Sequence, residues 1–165
     1  MTPLTCAVLT ISTKGSQGLR EDKSGPAIEL LLREHGFTVV ATEIVPDHLD
    51  LIQSFLITWT DIQAIDLIIT TGGTGVSPTD ITPEATREVI DTVIPGLSEL
   101  MRLESGKKTM YAALSRGICG IRKQSLIVNL PGSVDGATHN LQTILPVFSH
   151  AIYKIKGGQE DCSPV

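Results

Sequence analysis

Residues 70–85 read TTGGTGVSPTDITPEA. Three glycines fall within four positions, directly after an apolar, β-branched run, and Asp80 follows in the same segment. Glycine gives up more backbone freedom on ordering than any other residue. Small residues at a strand end let backbone N–H groups approach an anion closely, although a tight connecting turn would use the same residues. Two common phosphate loops are excluded. No Gly-Lys-Ser/Thr follows at the spacing of a P-loop, and Pro78 stands where a dinucleotide fingerprint needs its third glycine. Asp80 is either a favourable charge near a helix N-terminus or a metal ligand beside bound phosphate. Asp47, in the segment VPD, has the same two readings, a helix cap or a carboxylate sharing one Mg2+ with Asp80. The stretch 12–25 adds Lys14, Arg20 and Lys23, and Arg116, Arg122 and Lys123 form a second basic set. A cleft lined by such cations suits a polyphosphate.

The elements that must carry these groups alternate. Residues 4–11 and 66–71 are short apolar runs that read as buried strands, and 37–45 and 125–130 are β-branched strand candidates. Between them, 26–34 has a helical pattern with Pro26 in the first turn and Gly36 at the stop. Leu49, Ile52, Leu56 and Trp59 give 48–63 a helical period. A helix is expected over 83–93 with Thr82 as its N-cap, broken at Pro95-Gly96 and resumed over 97–104. Residues 134–156 read as mostly helical with a break near Pro146, and 12–25 reads as a loop. This order predicts an α/β fold, a mostly parallel sheet covered on both faces. In such sheets ligands bind beyond the carboxyl ends of the strands. Four unusual segments fall there: 12–22, VPD, the glycine loop and NLPGS.

Composition bounds the rest. The chain has 165 residues, 41% hydrophobic and 19% charged, with a net charge of −5. The acidity argues against a general nucleic-acid binder. No apolar run approaches the roughly 20 residues of a membrane span, and the N-terminus lacks the basic region of a secretory signal. Cys6, Cys119 and Cys162 are odd in number and widely spaced, as expected of free thiols in a reducing cytoplasm. His35, His48, His139 and His150 show no metal-ligand spacing and read as surface or capping residues. Residues 1–157 are expected to form one domain, with 158–165 as a weakly ordered tail.

TTGGTGVSPTDITPEAT, with VPD upstream and IPGLSELMR and LIVNLPGS downstream, closely resembles the molybdenum-cofactor biosynthesis proteins of the MogA/MoaB type. These are molybdopterin adenylyltransferases, similar also to the G domain of gephyrin, and the resemblance runs from the first strand to the last helix. It implies a three-layer α/β/α sandwich (the molybdopterin-binding fold) and a trimer, or a hexamer in some MoaB-type members. It also implies Mg2+-dependent transfer of AMP from ATP to the molybdopterin phosphate, releasing pyrophosphate. The product would then serve a molybdenum-insertion partner. Carried over residue by residue, Asp47 and Asp80 are the catalytic and metal-binding carboxylates. Gly72, Gly73, Thr74 and Gly75 shape the phosphate cradle. Ser12, Ser115, Arg116, Asn129, Pro131, Gly132 and Ser133 match further binding positions. Asp22, Ser24, Gly25 and Glu99 match other family segments.

The chain also departs from the family pattern. The usual Ser-Asp-Arg after the first strand is Ser12-Thr13-Lys14, and the usual Arg before the second aspartate is Thr79. A carboxylate and a guanidinium are lost, and an amine replaces a second guanidinium without its bidentate fork. A molybdopterin-binding paralogue without transferase activity is the alternative these changes suggest.

Overall fold

In the computed structural model, which describes residues 3–159, every residue of β3 (Leu67–Thr71) and β6 (Ser125–Leu130) is buried. So are six residues of β1 (Thr5–Ile11). Strands covered on both faces need such continuous apolar runs. With β2 (Thr38–Val45) they form the parallel part of a six-stranded sheet ordered β2-β1-β3-β6-β5-β4. β5 (Cys119–Arg122) and β4 (Thr92–Val93) complete it as antiparallel neighbours.

Side chains alternate along each strand, so the sheet separates two cores. Cys6, Val8, Leu67, Ile69, Leu126 and Val128 face one side. There they pack against α2 (Ser24–Glu34), α5 (Pro95–Gly106), α6 (Val134–Ile144) and α7 (Phe148–Ile155). Ala7, Leu9, Ile11, Ile68 and Ile127 face the other, against α3 (Leu49–Ile57) and α4 (Thr82–Val89). Each fully buried Leu or Ile contributes about 1.5–3 kcal/mol. The expected three-layer α/β/α arrangement with a mostly parallel sheet is present.

Several local expectations are corrected. Thr13–Ser16 forms a one-turn helix, α1, inside the expected loop, because the Ser12 hydroxyl accepts the Gly15 N–H at 3.0 Å. The helix expected over 83–93 ends at Val89. Asp91 and Ile94 donate their N–H groups to Ile121 and Cys119 carbonyls, so β-branched Thr92 and Val93 pair as a strand. Thr82 does not cap α4; its hydroxyl donates to the Gly72 carbonyl at 2.8 Å. Pro95 opens α5 rather than only breaking the chain. The helix begun at Leu49 widens to a π turn over Thr58–Ile62, and Pro146 sits in a 3-10 turn, Leu145–Val147, between α6 and α7. β5 has no counterpart in the sequence reading; it doubles back on β6 through Lys123, whose φ is +50°.

Cys6 and Cys119 are buried free thiols, pushed up to about 12 and about 11 by burial. They are inert at neutral pH. Cys162 and residues 160–165 of the expected tail lie outside the described residues. None of the described helices is long and apolar enough to cross a membrane.

The amino ends of β1 and β3 are tied together by Asp66. Thr5 donates its N–H and hydroxyl to Asp66 Oδ2 at 2.8 and 3.0 Å, and Lys156 pairs with Oδ1. Burial pulls the Asp66 carboxyl upward, but these donors outweigh it and hold the pKa below its ordinary value. A lowered folded pKa adds stability above the unfolded pKa of about 4 and loses it as pH falls through the folded value. Asp66→Asn is therefore expected to lose about 1–3 kcal/mol at pH 7. Urea melts should show the gap to the parent protein narrowing below about pH 4. A gap that stays constant down to pH 3 would contradict this role.

Candidate active site at the carboxyl edge of the sheet

The four segments beyond the parallel strands converge. Gly72 leaves β3 with φ +99°, and a Cβ there would collide with the carbonyl of Ile11 at the end of β1. Its N–H donates to the Leu130 carbonyl at 3.1 Å, and a Cβ on Gly132 would stand 3.2 Å from its Cα. Gly73 follows at φ +63°, and a side chain there would meet the Thr82 hydroxyl and stand 3.2 Å from Asp47 Oδ1. Only glycine meets both demands, a left-handed backbone and close approach.

Asp47 does not cap α3. His48 occupies the N-cap position, where no side-chain bond is made. The carboxylate crosses instead to the start of α1, where Thr13 donates its N–H and hydroxyl to Oδ2 at 3.1 and 2.7 Å. Asp80 closes the turn SPTD by accepting the Ser77 N–H at 2.9 Å. The Thr79 hydroxyl lies 3.1 Å from that of Ser77.

Arg116 clamps this loop. Its Nε donates to the Gly75 carbonyl at 2.6 Å, Nη2 to the Asp80 carbonyl at 2.7 Å, and Nη1 pairs with Glu84. Desolvation alone would raise the Glu84 pKa, yet the Arg116 bond holds it below its ordinary value. Asn129 is 1% exposed. Its amide donates to the Thr70 and Thr86 hydroxyls at 2.9 Å each and accepts the Ile118 N–H. The Ser133 hydroxyl caps α6 by accepting from Gly136 N–H at 3.2 Å. The second basic set does not assemble: Arg122 and Lys123 both pair with Asp61, away from Arg116.

Two cavities adjoin here. The larger, about 1050 Å³, is lined by Asp47, Asp80, Thr13, Lys14, Arg20 and Lys23, with Ser12 and Gly72 on its wall. The smaller, about 620 Å³, is lined by Thr74, Gly75, Ser115, Asn129 and Pro131 on the loop side. Gly73, Asp80, Gly132 and Ser133 line both and form a common rim. Arg116 and Glu99 line neither. The donor set beside Asp47 and Asp80 is hydroxyl and carboxylate oxygen, which suits Mg2+ completed by phosphate oxygens and water. Among the described residues, no group of three or more His, Cys, Asp or Glu side chains is placed to hold a metal by itself.

Sequence reasoning missed the far wall of the smaller cavity. Ser98, Met101, Arg102 and Ser105 of α5 face it, with Lys108, Tyr111 and, from α6, His139 and Asn140. The signal was available: Ser98, Arg102 and Ser105 recur at helical spacing on one face. His139, expected at the surface or as a cap, is a wall residue whose Nδ1 lies 2.9 Å from Lys108 Nζ.

The mostly parallel sheet places the chain in the α/β class, and its cavities lie beyond the strand ends, where ligands bind in that class. The chain belongs to the family described as the probable molybdopterin binding domain, whose model matches residues 7–150. It is 43% identical over 152 residues to the molybdopterin adenylyltransferase of Helicobacter pylori strain J99, covering 91% of this chain and 86% of that protein. It is 46% identical to the molybdenum cofactor synthesis protein cinnamon of Drosophila melanogaster over 94% of this chain, but spans only 26% of that protein. The crystal structure of the molybdopterin biosynthesis enzyme MoaB from Thermus thermophilus superposes with a TM-score of 0.89 at 48% identity, covering 93% of this chain and 97% of that one.

If Arg116 clamps the loop, Arg116→Ala should free the Gly75 and Asp80 carbonyls. Hydrogen exchange at the Ser77, Asp80 and Thr82 amides should then quicken, by an opening free energy smaller by about 1–3 kcal/mol. Unchanged exchange would remove the clamp.

Proposed function

We propose that this chain is a molybdopterin adenylyltransferase, transferring AMP from Mg2+-ATP to the phosphate of molybdopterin with release of pyrophosphate. The observation that carries the reading is the pair of cavities meeting at one glycine rim beside Asp80. The larger, with Lys14, Arg20 and Lys23 on its wall, takes the nucleotide and its phosphates. The smaller, with Met101 and Tyr111 facing polar Ser105 and Asn140, takes the pterin ring. Their reacting phosphates then meet at Gly73, Gly132 and Ser133. The names of two relatives, 43% and 37% identical and matched over 86% and 75% of their length, support the same assignment.

The substrate brings its own nucleophile. An oxygen of the molybdopterin phosphate bonds to the α-phosphorus of ATP, and the bond from that phosphorus to the bridging oxygen breaks. The electron pair leaves on pyrophosphate. The chain's task is positioning and charge neutralisation. Asp47 and Asp80 would hold Mg2+, which would supply charge neutralisation at the phosphate oxygens. The Gly72–Gly73 backbone sets the approach of the phosphates, while Arg116 acts through the loop it clamps and Asn129 through Thr70 and Thr86 on either side of that loop. Lys14 balances phosphate charge as a point charge.

Thr79 places a hydroxyl where the resemblance expects a guanidinium, and its partner is Ser77. That contact favours the second reading, a molybdopterin-binding protein without turnover. The resemblance to the family further suggests a cytoplasmic homo-oligomer, a trimer or a hexamer, with a metal-insertion protein downstream. Exposed Leu103 and Met110 supply apolar surface for such assembly.

Incubation with molybdopterin, ATP and Mg2+ should yield adenylylated molybdopterin and pyrophosphate, detected by chromatography. Tight pterin binding with no product from folded protein would select the second reading. Asp47→Asn and Asp80→Asn should each lower turnover by about two orders of magnitude or more while shifting the melting temperature little. Lost stability with retained turnover would make both aspartates structural.

A further inference from the structure

Two aspartates of this chain are held by the same three-bond knot. At the amino ends of the strands, Thr5 donates its N–H and hydroxyl to Asp66 Oδ2, at 2.8 and 3.0 Å, and the Asp66 N–H returns to the Thr5 hydroxyl at 3.1 Å. At the carboxyl ends, Thr13 donates its N–H and hydroxyl to Asp47 Oδ2, at 3.1 and 2.7 Å, and the Asp47 N–H returns to the Thr13 hydroxyl at 3.1 Å. In each knot the hydroxyl proton and one hydroxyl lone pair are committed, so the threonine fixes which oxygen of the carboxylate is used.

The knots differ in what meets the other oxygen. Asp66 Oδ1 is neutralised by the Lys156 ammonium. Asp47 makes no ion pair with any described residue. Its Oδ1 lies beside Gly73, 3.2 Å from where a Cβ would stand, and both residues line the larger cavity. A side chain at Gly73 would crowd that oxygen.

We propose that Thr13 is a positioning residue that commits Asp47 Oδ2 and thereby presents Oδ1 to a divalent cation arriving with the phosphorylated ligand. The cation takes the place that Lys156 holds on Asp66. The Asp47 carboxylate offers oxygen, the donor a hard cation requires. Because Thr13 is neutral, the knot adds no second negative charge beside Asp47; a carboxylate at position 13 would be a like charge at hydrogen-bond distance. The ion must then draw most of its remaining ligands from phosphate and water, so its binding is coupled to the nucleotide. That the ligand is ATP rests on the adenylyltransferase reading; the role of Thr13 toward Asp47 does not.

The test uses Mn2+ as a paramagnetic probe, titrated with and without a non-hydrolysable ATP analogue, with melting temperatures measured in parallel. The parent protein should bind Mn2+ well only with the analogue. Thr13→Ser, which keeps the hydroxyl, should match it. Thr13→Val should weaken analogue-dependent Mn2+ binding by about 10–100-fold, and Thr13→Ala should do the same if the valine variant folds poorly. Parent-like Mn2+ affinity in the valine or alanine variant, or equal weakening in the serine variant, would overturn the proposal. Should the parent show the expected Mn2+ pattern across these variants yet form no adenylylated product, the substrate reading fails and the role of Thr13 stands.

Discussion

Three lengths of backbone meet where Gly72 has no side chain, and the carboxyl edge of the sheet is built around that meeting. The Ile11 carbonyl occupies the space a Cβ would need, Gly132 packs on the other side, and φ is +99°. Bonds from Gly72 N–H to Leu130 and from the Thr82 hydroxyl to the Gly72 carbonyl hold the pinch closed. It draws the exits of β1, β3 and β6 together, so that Gly73, Gly132 and Ser133 stand between the two cavities rather than apart. A larger residue at Gly72 would move all three exits at once, because packed backbone has no rotamer to relieve the strain.

Charge is distributed to the same end. Asp61 is held far below the ordinary carboxylate range, chiefly by its bonds to Arg122. Asp66 is closed by Thr5 and Lys156, and Glu84 by Arg116. These carboxylates serve the fold. Asp47 and Asp80 accept only neutral donors from the described residues, and both line the larger cavity. The cavity carries Lys14, Arg20 and Lys23 together with Glu21 and Asp22, and in the proposed function Asp47 meets a cation that arrives with an anionic ligand.

Much of this was legible in the sequence. The apolar runs 4–11, 66–71 and 125–130 announced buried parallel strands because their burial leaves no polar face to alternate. The glycine loop, VPD and NLPGS could be placed together because parallel strands send their carboxyl ends to one edge. Long-range contacts were not legible. Thr82 looks like an N-cap to any local rule, but its hydroxyl answers to Gly72, ten residues back. β4 and β5 stabilise each other across 26 or more residues, and neither run has enough apolar length to declare itself. Arg116 carries no local mark of a clamp; its partners at Gly75 and Asp80 lie about forty residues away in sequence. Thr13 looked like a lost carboxylate, and only the fold shows it bonded to Asp47.

In the proposed function one reaction centre sits on the rim between two cavities. A crystal structure of the protein with adenylylated molybdopterin tests it most directly. The pterin should lie in the smaller cavity, the adenosine in the larger, and the phosphoanhydride between Gly73 and Ser133 with Asp47 and Asp80 beside it. A product lying wholly within one cavity, or with its phosphates turned away from Asp47, would contradict it.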